Sequence, residues 1–287
     1  MNYYDNNGSL VIKGLKDFNI EEILECGQCF RFIKLDDLKY SVTALGRVLT
    51  AEQKGDSLTL YDCTADEFEA KWRHYFDMDR DYGAIKEKIS CDDEIMRSAV
   101  NYAGGIRLLN QEPYECLLSF IISQNNNIPR IKGIIAAMSN KYGTDGNFPT
   151  LEQLSDVTED DLFALKMGFR NKYIYDAVHR LEEGEVRLDI LADMPCDEAR
   201  EELKKIKGVG NKVADCVLLF SLGHREVFPI DVWVRRVVSE LYFDGEEQSL
   251  NAIADFARNK WGELAGYAQQ YLFYYARSGS MGKQTNP

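Results

Sequence analysis

The sequence predicts an α+β protein in which a small antiparallel β-sheet domain at the N-terminus packs on a helical body that contains a helix-hairpin-helix motif. Two observations support this fold class. The first ~60 residues form short runs rich in apolar and β-branched residues, separated by turn signals. After Thr64 the apolar residues recur at helical spacing instead.

The 287 residues suit one large domain or two modest ones. We predict two: residues 1–90 form the β domain with a flanking helix, and residues 91–287 form the helical domain, with the hairpin motif at about 203–223. Predicted strands lie at residues 9–14, 29–35, 39–45, 47–53 and 57–63. Their close spacing indicates an antiparallel, meander-like sheet.

Several helices are predicted from residues that are typical of helix N-termini. Thr64 is a predicted N-cap, and Glu67 three residues later would complete a capping box. Pro113 suits the first turn of a helix at 113–123. Further helices are predicted at 128–143, 196–206, 211–223 and 231–243. The polar tail at 282–287 is expected to fray.

Composition disfavours a membrane-spanning chain, because no apolar run approaches the ~20 residues that a membrane helix needs. The polar, acidic N-terminus resembles neither a secretory signal nor a transit peptide. The seven cysteines, an odd number at irregular spacing, indicate free thiols in a reducing compartment. We therefore expect an intracellular protein, which is cytoplasmic and associated with the nucleoid if bacterial. Cys26 and Cys29 form a C-x-x-C pair, but the second ligand pair of a zinc site is missing.

The net charge of −13 taken alone disfavours nucleic-acid binding, because contacts with phosphates dominate such affinity. The charges are unevenly distributed, however. Residues 203–213 carry four lysines and no acid, and residues 123–142 and 165–180 are also basic. Each run alone is typical of a solvated helix face. Together they are compatible with a local basic surface that contacts DNA.

The most informative segment is LKKIKGVGNKVADCVLLF at 203–220, whose pattern predicts a helix, a tight turn and a second helix. Gly208 and Gly210 flank Val209, and glycines at both places permit positive φ and the close approach of a backbone. The amides that open the second helix suit an anion, here a DNA phosphate. On local spacing alone, the segment is equally typical of a plain turn between two helices.

Two ionisable side chains follow this turn. Lys212 lies in the first turn of an otherwise apolar helix, where a cation is disfavoured, so partial burial would favour the neutral, nucleophilic amine. Asp231 follows Pro229 and opens the next predicted helix, where an aspartate is a good N-cap. It could also face an amine nucleophile across a pocket, and both roles can hold together.

These residues resemble the helix-hairpin-helix, Gly/Pro-rich-loop, Asp superfamily of DNA glycosylases, with IKGVGNKVADC as the hairpin, Pro229 as the proline and Asp231 as the aspartate. The resemblance is closest to the 8-oxoguanine DNA glycosylases and spans about residues 20–277. It implies a bifunctional glycosylase and abasic-site lyase of base-excision repair. Lys212 would attack C1′, form a Schiff base and cleave the strand by β-elimination, while Asp231 would stabilise positive charge on the sugar.

The resemblance also assigns the remaining site residues. Gly27 matches the glycine whose carbonyl accepts the N7–H that 8-oxoguanine has and guanine lacks. Cys216 and Phe273 would hold the two faces of the flipped base, and Gln269 would read its Watson–Crick edge. The expected DNA contacts are Asn125 in the vacated space, Arg130 and Arg170 at the unpaired cytosine, Phe169 as a wedge, and Gly208, Val209 and Gly210 at a phosphate.

Each of these assignments has a plainer alternative. Asn125 could lie in a polar loop, Cys216 and Phe273 in the core, and Gln269 and Arg170 on the surface. Elementary chemistry nevertheless favours the set as a whole. A base inside a duplex must be flipped out before an enzyme can reach it, so something must fill the hole and hold the orphaned partner base.

Two positions depart from the family pattern: Trp233 stands where a histidine is common, and Phe169 replaces a tyrosine. Related glycosylases with an iron–sulfur cluster usually carry a C-terminal four-cysteine loop, but no cysteine follows Cys216, so no cluster is expected. The alternatives are a related glycosylase for other damaged purines, or a non-catalytic DNA-binding protein in which Lys212 only contacts the backbone. We expect a monomer whose partner is duplex DNA containing 8-oxoguanine, with no membrane contact, no metal ligand and no required cofactor.

Overall fold

The computed structural model describes residues 1–278, and the predicted tail at 282–287 lies outside the described residues. The strands are β1 (Asn2–Asn6), β2 (Ser9–Lys13), β3 (Phe32–Asp36), β4 (Lys39–Ala44), β5 (Arg47–Lys54) and β6 (Ser57–Tyr61). The helices are α1 (Ile20–Glu25), α2 (Ala65–Glu67), α3 (Arg73–Tyr75), α4 (Tyr82–Ile89), α5 (Glu94–Tyr102), α6 (Pro113–Ser123), α7 (Ile128–Tyr142), α8 (Leu151–Leu154), α9 (Glu159–Ala164), α10 (Asn171–Glu182), α11 (Cys196–Leu203), α12 (Asn211–Phe220), α13 (Val232–Tyr242), α14 (Leu250–Trp261) and α15 (Ala265–Ser278). Within this range, no helix combines the length and the apolar character that crossing a membrane requires.

The strands form one antiparallel sheet in the order β1-β2-β6-β5-β4-β3. Strands β3 to β6 make the predicted meander, and β2 returns to pair with β6. Tyr40, Ala51, Leu60 and Leu10 align across four neighbouring strands, and all four are fully buried. Because side chains alternate between the two faces of a strand, this row marks the face that packs on the rest of the protein.

Two elements of this domain differ from the sequence prediction, which contains neither β1 nor α1. Strand β1 is exposed along its whole length at the edge of the sheet, so it carries no alternating apolar pattern. Helix α1 has only six residues, and its acidic side chains conceal its apolar face. It begins at Asn19, whose side chain accepts hydrogen bonds from the amides of Glu21 and Glu22.

The predicted N-cap at Thr64 is confirmed, since its hydroxyl accepts from the Glu67 amide at 3.1 Å. The Glu67 carboxylate serves other partners: it accepts from the Trp72 indole at 3.3 Å and from Arg47 at 3.1 Å. Only one half of the predicted capping box is therefore formed. A π-helical turn over Phe68–Trp72 separates α2 from α3.

The α+β fold class is confirmed, because the antiparallel sheet is followed by a body made of helices α4 to α15. The buried apolar side chains form two clusters, one beneath the sheet and a larger one among the helices. Helix α1 and the segment that follows it contribute to both. Ile23 and Leu24 on α1 pack in the sheet cluster, whereas Cys26 and Phe30 after it pack in the helical cluster.

Gln28 anchors this crossing segment and is fully buried. Its side-chain amide donates to the carbonyls of Ile23 and Arg107, both at 2.8 Å, and its oxygen accepts from the Leu109 amide at 2.8 Å. One side chain thus joins the end of α1 to the segment that precedes α6. Buried polar groups of this kind are costly to leave unpaired.

We expect Gln28→Ala to lower the free energy of unfolding by about 3 kcal/mol, because the two carbonyls and one amide that it pairs would stay buried without partners. Urea denaturation followed by fluorescence measures the change. Gln153→Ala, at a partly exposed helix cap, is the matched control and should cost about 1 kcal/mol or less. Equal losses for the two variants would contradict the assigned role of Gln28.

The predicted helix-hairpin-helix is formed by α11, a turn at 204–210, and α12. Gly208 has a φ of +81°, and a Cβ built there would lie 2.4 Å from the ring of Tyr173 on α10. Gly210 differs from the prediction: its φ is −101°, and a Cβ would meet nothing within 4 Å. Positive φ and close approach are therefore required at Gly208 alone, and Gly210 serves as the uncapped start of α12.

We expect Gly208→Ala to lower the free energy of unfolding by more than about 1 kcal/mol and to weaken DNA binding, because the new methyl group strains the backbone and collides with Tyr173. Gly210→Ala is the matched control, and it should change stability by less than about 1 kcal/mol. Thermal unfolding and DNA titration of both variants measure these effects. If Gly208→Ala changed neither stability nor DNA binding, the backbone of the hairpin turn would be able to accommodate the methyl group without strain.

Candidate active site

A small pocket of about 50 Å³ lies where the β domain meets the helical body. It is lined by side chains from α12, from the loop before α13, from α15 and from the segment after α1. Six of the thirteen site residues predicted from the sequence meet here: Gly27, Lys212, Cys216, Asp231, Gln269 and Phe273. They come from opposite ends of the chain, so only the folded protein brings them together.

Lys212 is half-buried in the first turn of α12, and no side chain caps this helix. Its ammonium nitrogen lies 5.1 Å from the centre of the Phe120 ring, which itself stacks on Phe220. Burial raises the pKa of the neighbouring Cys216 thiol to about 11, and the charge of Lys212 opposes this rise only in part. The amine is therefore set against an apolar wall and beside a neutral thiol.

Asp231 caps α13, as the sequence predicted. Its Oδ1 accepts a hydrogen bond from the Val234 amide at 2.7 Å. The same carboxylate lines the pocket together with Lys212, so the cap holds the carboxylate at the wall that the amine also lines. Trp233, the first departure from the family pattern, is half-buried, and its indole N–H is enclosed with no partner among residues 1–278.

Gly27 has a φ of +87°, and a Cβ built there would lie 3.3 Å from the ring of Phe273. A larger residue would be strained and would crowd the pocket. The preceding carbonyl, that of Cys26, accepts from the side-chain amide of Gln270 at 2.7 Å. Together with Gln28 on its other side, Gln270 fixes the backbone of this segment.

The sequence prediction missed both of these positioning glutamines. The only signal in the sequence is that Gln270 and Gln28 directly follow residues that were assigned to the site, in the pairs Gln269–Gln270 and Gly27–Gln28. Nothing in their spacing shows that their side chains turn inward.

Gln269 and the two residues expected to hold the base faces are arranged around the same pocket. Gln269 is 6% exposed, and its side-chain oxygen is buried without a hydrogen-bond partner within the described residues. Cys216 is buried on α12, and Phe273 is half-buried on α15. An unpaired buried acceptor costs free energy, so the arrangement suits a ligand with a matching donor.

The residues expected on the DNA side lie close together on another surface. Asn125 is exposed at a φ of +47° between α6 and α7, and Phe169 is 49% exposed. Arg130 is also exposed and donates to the Lys166 carbonyl at 3.1 Å. Arg170 differs in that its guanidinium is buried and donates to the carbonyls of Asn125 and Gln124, each at 2.8 Å.

This arrangement gives Arg170 a clear structural function, since it supports the loop that presents Asn125. Its guanidinium carbon also lies 4.5 Å from the centre of the Phe169 ring. A contact between Arg170 and an unpaired cytosine stays a prediction, and in this structure it requires the side chain to leave the loop carbonyls.

The hairpin turn offers fewer free amides than the sequence suggests. The Val209 N–H donates to the Ile206 carbonyl at 3.0 Å, and its side chain is buried in the core. Phosphate binding at this turn would therefore rely on the amides from Gly210 onward, at the start of α12.

A second cavity, of about 1040 Å³, lies against Tyr114, Phe148 and Leu188. It is much larger than the site pocket, but its wall contains none of the thirteen predicted residues. Because size alone supplies no nucleophile, we assign the candidate active site to the small pocket around Lys212.

Comparison with known proteins agrees with this geometry. The family model for the 8-oxoguanine DNA glycosylase N-terminal domain matches residues 10–117, and the model for HhH-GPD superfamily base-excision DNA repair proteins matches residues 118–263. The N-glycosylase/DNA lyase of Saccharomyces cerevisiae is 30% identical over 93% of this chain and 85% of its own. A probable N-glycosylase/DNA lyase of Methanothermobacter thermautotrophicus is 33% identical over 65% of this chain and 68% of its own.

Among solved structures, the 8-oxoguanine glycosylase/lyase of Clostridium acetobutylicum, in complex with duplex DNA containing cytosine opposite 8-oxoguanine, is 40% identical. It superimposes with a TM-score of 0.93 and covers 97% of this chain and 98% of its own. The two family models together span most of the sequence and follow the order of the sheet domain and the helical body. The resemblance stated from the sequence is thus confirmed, and the chain belongs to the 8-oxoguanine DNA glycosylase family of the HhH-GPD superfamily.

Proposed function

We propose that this protein excises 8-oxoguanine from duplex DNA and then cleaves the abasic strand, as a bifunctional glycosylase and lyase of base-excision repair. One observation carries the proposal: a single pocket holds an amine, a carboxylate and the groups suited to reading a purine. The amine and carboxylate come from α12 and the N-cap of α13, and the reading groups come from Gly27 and α15. Membership of the family supports the same reaction.

The chemistry begins with the neutral amine of Lys212, which attacks C1′ of the damaged nucleotide. The C1′–N9 bond breaks, and the base departs with its bonding electrons and takes up a proton. Loss of the amine protons and opening of the sugar ring then give a Schiff base between the lysine nitrogen and C1′. Removal of a 2′ proton expels the 3′ phosphate, which cleaves the strand by β-elimination.

Asp231 supports the first of these steps electrostatically. The sugar develops positive charge as the glycosidic bond breaks, and a carboxylate held at the pocket stabilises that charge. Its hydrogen bond to the Val234 amide keeps the carboxylate in place before the reaction starts. Such preorganisation matters because little reorganisation is then needed as the charge forms.

Recognition of the damaged base rests on a small chemical difference. The carbonyl of Gly27 would accept the N7–H of 8-oxoguanine and repel the N7 lone pair of guanine. The unpaired oxygen of Gln269 is suited to a donor on the Watson–Crick edge of the base. Each mismatched polar group in such a pocket costs about 1–3 kcal/mol, which is enough to discriminate between the two bases.

The surface around Asn125 suits the remaining duplex. Asn125 would fill the space left by the flipped base, Arg130 and Arg170 would hold the unpaired cytosine, and the exposed Phe169 ring would act as a wedge. The uncapped start of α12 would bind a phosphate. The reaction requires no iron–sulfur cluster or other cofactor, and we propose that a monomer acts on DNA inside the cell, in the nucleoid if the source is bacterial.

We expect Lys212→Gln to abolish both excision and covalent trapping, because without the amine no Schiff base can form. Borohydride reduction of the protein on duplex DNA containing 8-oxoguanine measures trapping, and undamaged guanine duplex is the substrate control. Lys207→Gln, at an exposed lysine of the same hairpin, is the matched control and should still be trapped. If the unaltered protein binds the damaged duplex but never becomes attached, the bifunctional reaction is wrong.

We expect Asp231→Asn to slow single-turnover excision by about 10²- to 10³-fold, since the stabilising charge is lost. Stability should change by less than about 1 kcal/mol, because asparagine caps a helix as well as aspartate does. Excision rates and thermal unfolding of the same variant separate the two effects. A normal excision rate in this variant would show that Asp231 acts only as a helix cap.

A further inference from the structure

Away from the pocket, three side chains with metal-binding atoms lie together. Cys196 is the first residue of α11, and His224 and Glu226 lie in the loop between α12 and α13. The Cys196 sulfur, one His224 ring nitrogen and a Glu226 carboxylate oxygen all lie within 4.8 Å of one another. The sequence prediction assigned no metal ligand. Cys196 lies about thirty positions before His224 and Glu226, and the three follow no ligand-spacing motif.

The surroundings of His224 are unusual for a buried histidine. Its ring is 8% exposed, and its Nε2 lies 3.0 Å from the carbonyl of Leu191. A carbonyl only accepts hydrogen bonds, so Nε2 carries the proton and Nδ1 of the neutral ring presents a lone pair. That lone pair lies 3.3 Å from the carboxylate of Glu226, which also only accepts. Two acceptors face each other unless a cation or a further proton lies between them.

We propose that Cys196, His224 and Glu226 bind a divalent transition metal of the zinc type, through Sγ, Nδ1 and one carboxylate oxygen. A water molecule would complete the tetrahedron. Thiolate, imidazole and carboxylate are together the donor set that zinc uses in proteins. Binding replaces the thiol proton by a sulfur–metal bond, and the proton passes to solvent.

The geometry fits this metal. Two ligand atoms that each lie about 2.0–2.1 Å from a tetrahedral zinc are about 3.3 Å apart. That is the separation of the His224 Nδ1 from the Glu226 oxygen. The Leu191 carbonyl fixes the orientation of the ring from behind, as second partners do for metal-binding histidines. The Cys196 sulfur lies within 4.8 Å of both atoms, and a bound metal would draw it closer.

Arg200 is a nearby cation that bears on this assignment, and its guanidinium lies 3.5 Å from the Cys196 sulfur. It is already paired with two carboxylates, with Asp215 at 2.6 Å and with Asp197. The two carboxylates carry more negative charge than the guanidinium balances, even before the charges of Glu226 and of a metal-bound Cys196 thiolate are added. The local charge is therefore negative and favours a divalent cation.

The position of the site indicates what the metal would do. His224 and Glu226 lie in the loop that leads from the helix of Lys212 to Asp231, and Cys196 opens the first helix of the hairpin. A bound metal would tie this loop to α11 without touching the pocket. It would thus stabilise the folded protein rather than take part in excision.

The test is uptake of Co²⁺ and Zn²⁺ by the full-length protein purified without metal. We expect one equivalent of Co²⁺ to give a thiolate-to-cobalt charge-transfer absorption, Zn²⁺ to displace it, and Zn²⁺ to raise the thermal midpoint. Cys196→Ser should abolish the absorption. Glu226→Gln, at an exposed position, should weaken binding by at least about tenfold even if Cys196→Ser folds poorly.

Cys91→Ser is the matched control, since Cys91 is an exposed cysteine with an adjacent aspartate and should bind no metal in this way. It should leave the absorption unchanged. Loss of the absorption in Cys91→Ser, or its persistence in Cys196→Ser, would overturn the proposal. Absence of any cobalt absorption would also overturn it.

Discussion

The site depends on how two buried glutamine side chains hold the backbone around Gly27. Gln28 ties this segment to the residues before α6, and Gln270 ties the Cys26 carbonyl to the last helix. Since Cys26 and Gln270 lie 244 residues apart in the sequence, the second of these bonds joins distant parts of the chain. A backbone carbonyl can tell two bases apart by a single proton only if the backbone stays in place. A rigid segment around Gly27 is therefore a condition for specificity.

The start of α12 brings together free amides suited to a phosphate and a lysine that lines the pocket. Its uncapped amides and the positive end of the helix dipole suit a DNA phosphate, while Lys212 in the same turn points its amine toward the pocket. One structural element would thus set the distance between the proposed phosphate contact and the proposed nucleophile. Asp231 does the same for the opposing charge, because the bond that caps α13 also orients the carboxylate.

Much of the fold and of the candidate site could be predicted from the sequence, and the features that could not have physical causes. The strands of the meander and the main helices carry periodic apolar patterns, whereas β1 lacks one because both of its faces are exposed. The pocket residues were identified through their order along the chain. The burial of Arg170 and the inward turn of Gln270 were not predicted, because neither local spacing nor residue type reveals which way a polar side chain points. At Gly210 the φ angle follows from the neighbouring helix start rather than from the glycine itself.

The contact between Tyr173 and Gly208 has a mechanical consequence. The same ring packs edge-on against Phe169, with centroids 5.7 Å apart, so one side chain links the hairpin turn to the expected wedge. The ring therefore fixes the spacing between these two elements in the folded protein. When such a surface meets a straight duplex, the nucleic acid has to deform. Pyrimidine–purine steps kink more easily than stiff A-tracts, so the bases flanking a lesion would influence how readily it is engaged even without contacts to their edges.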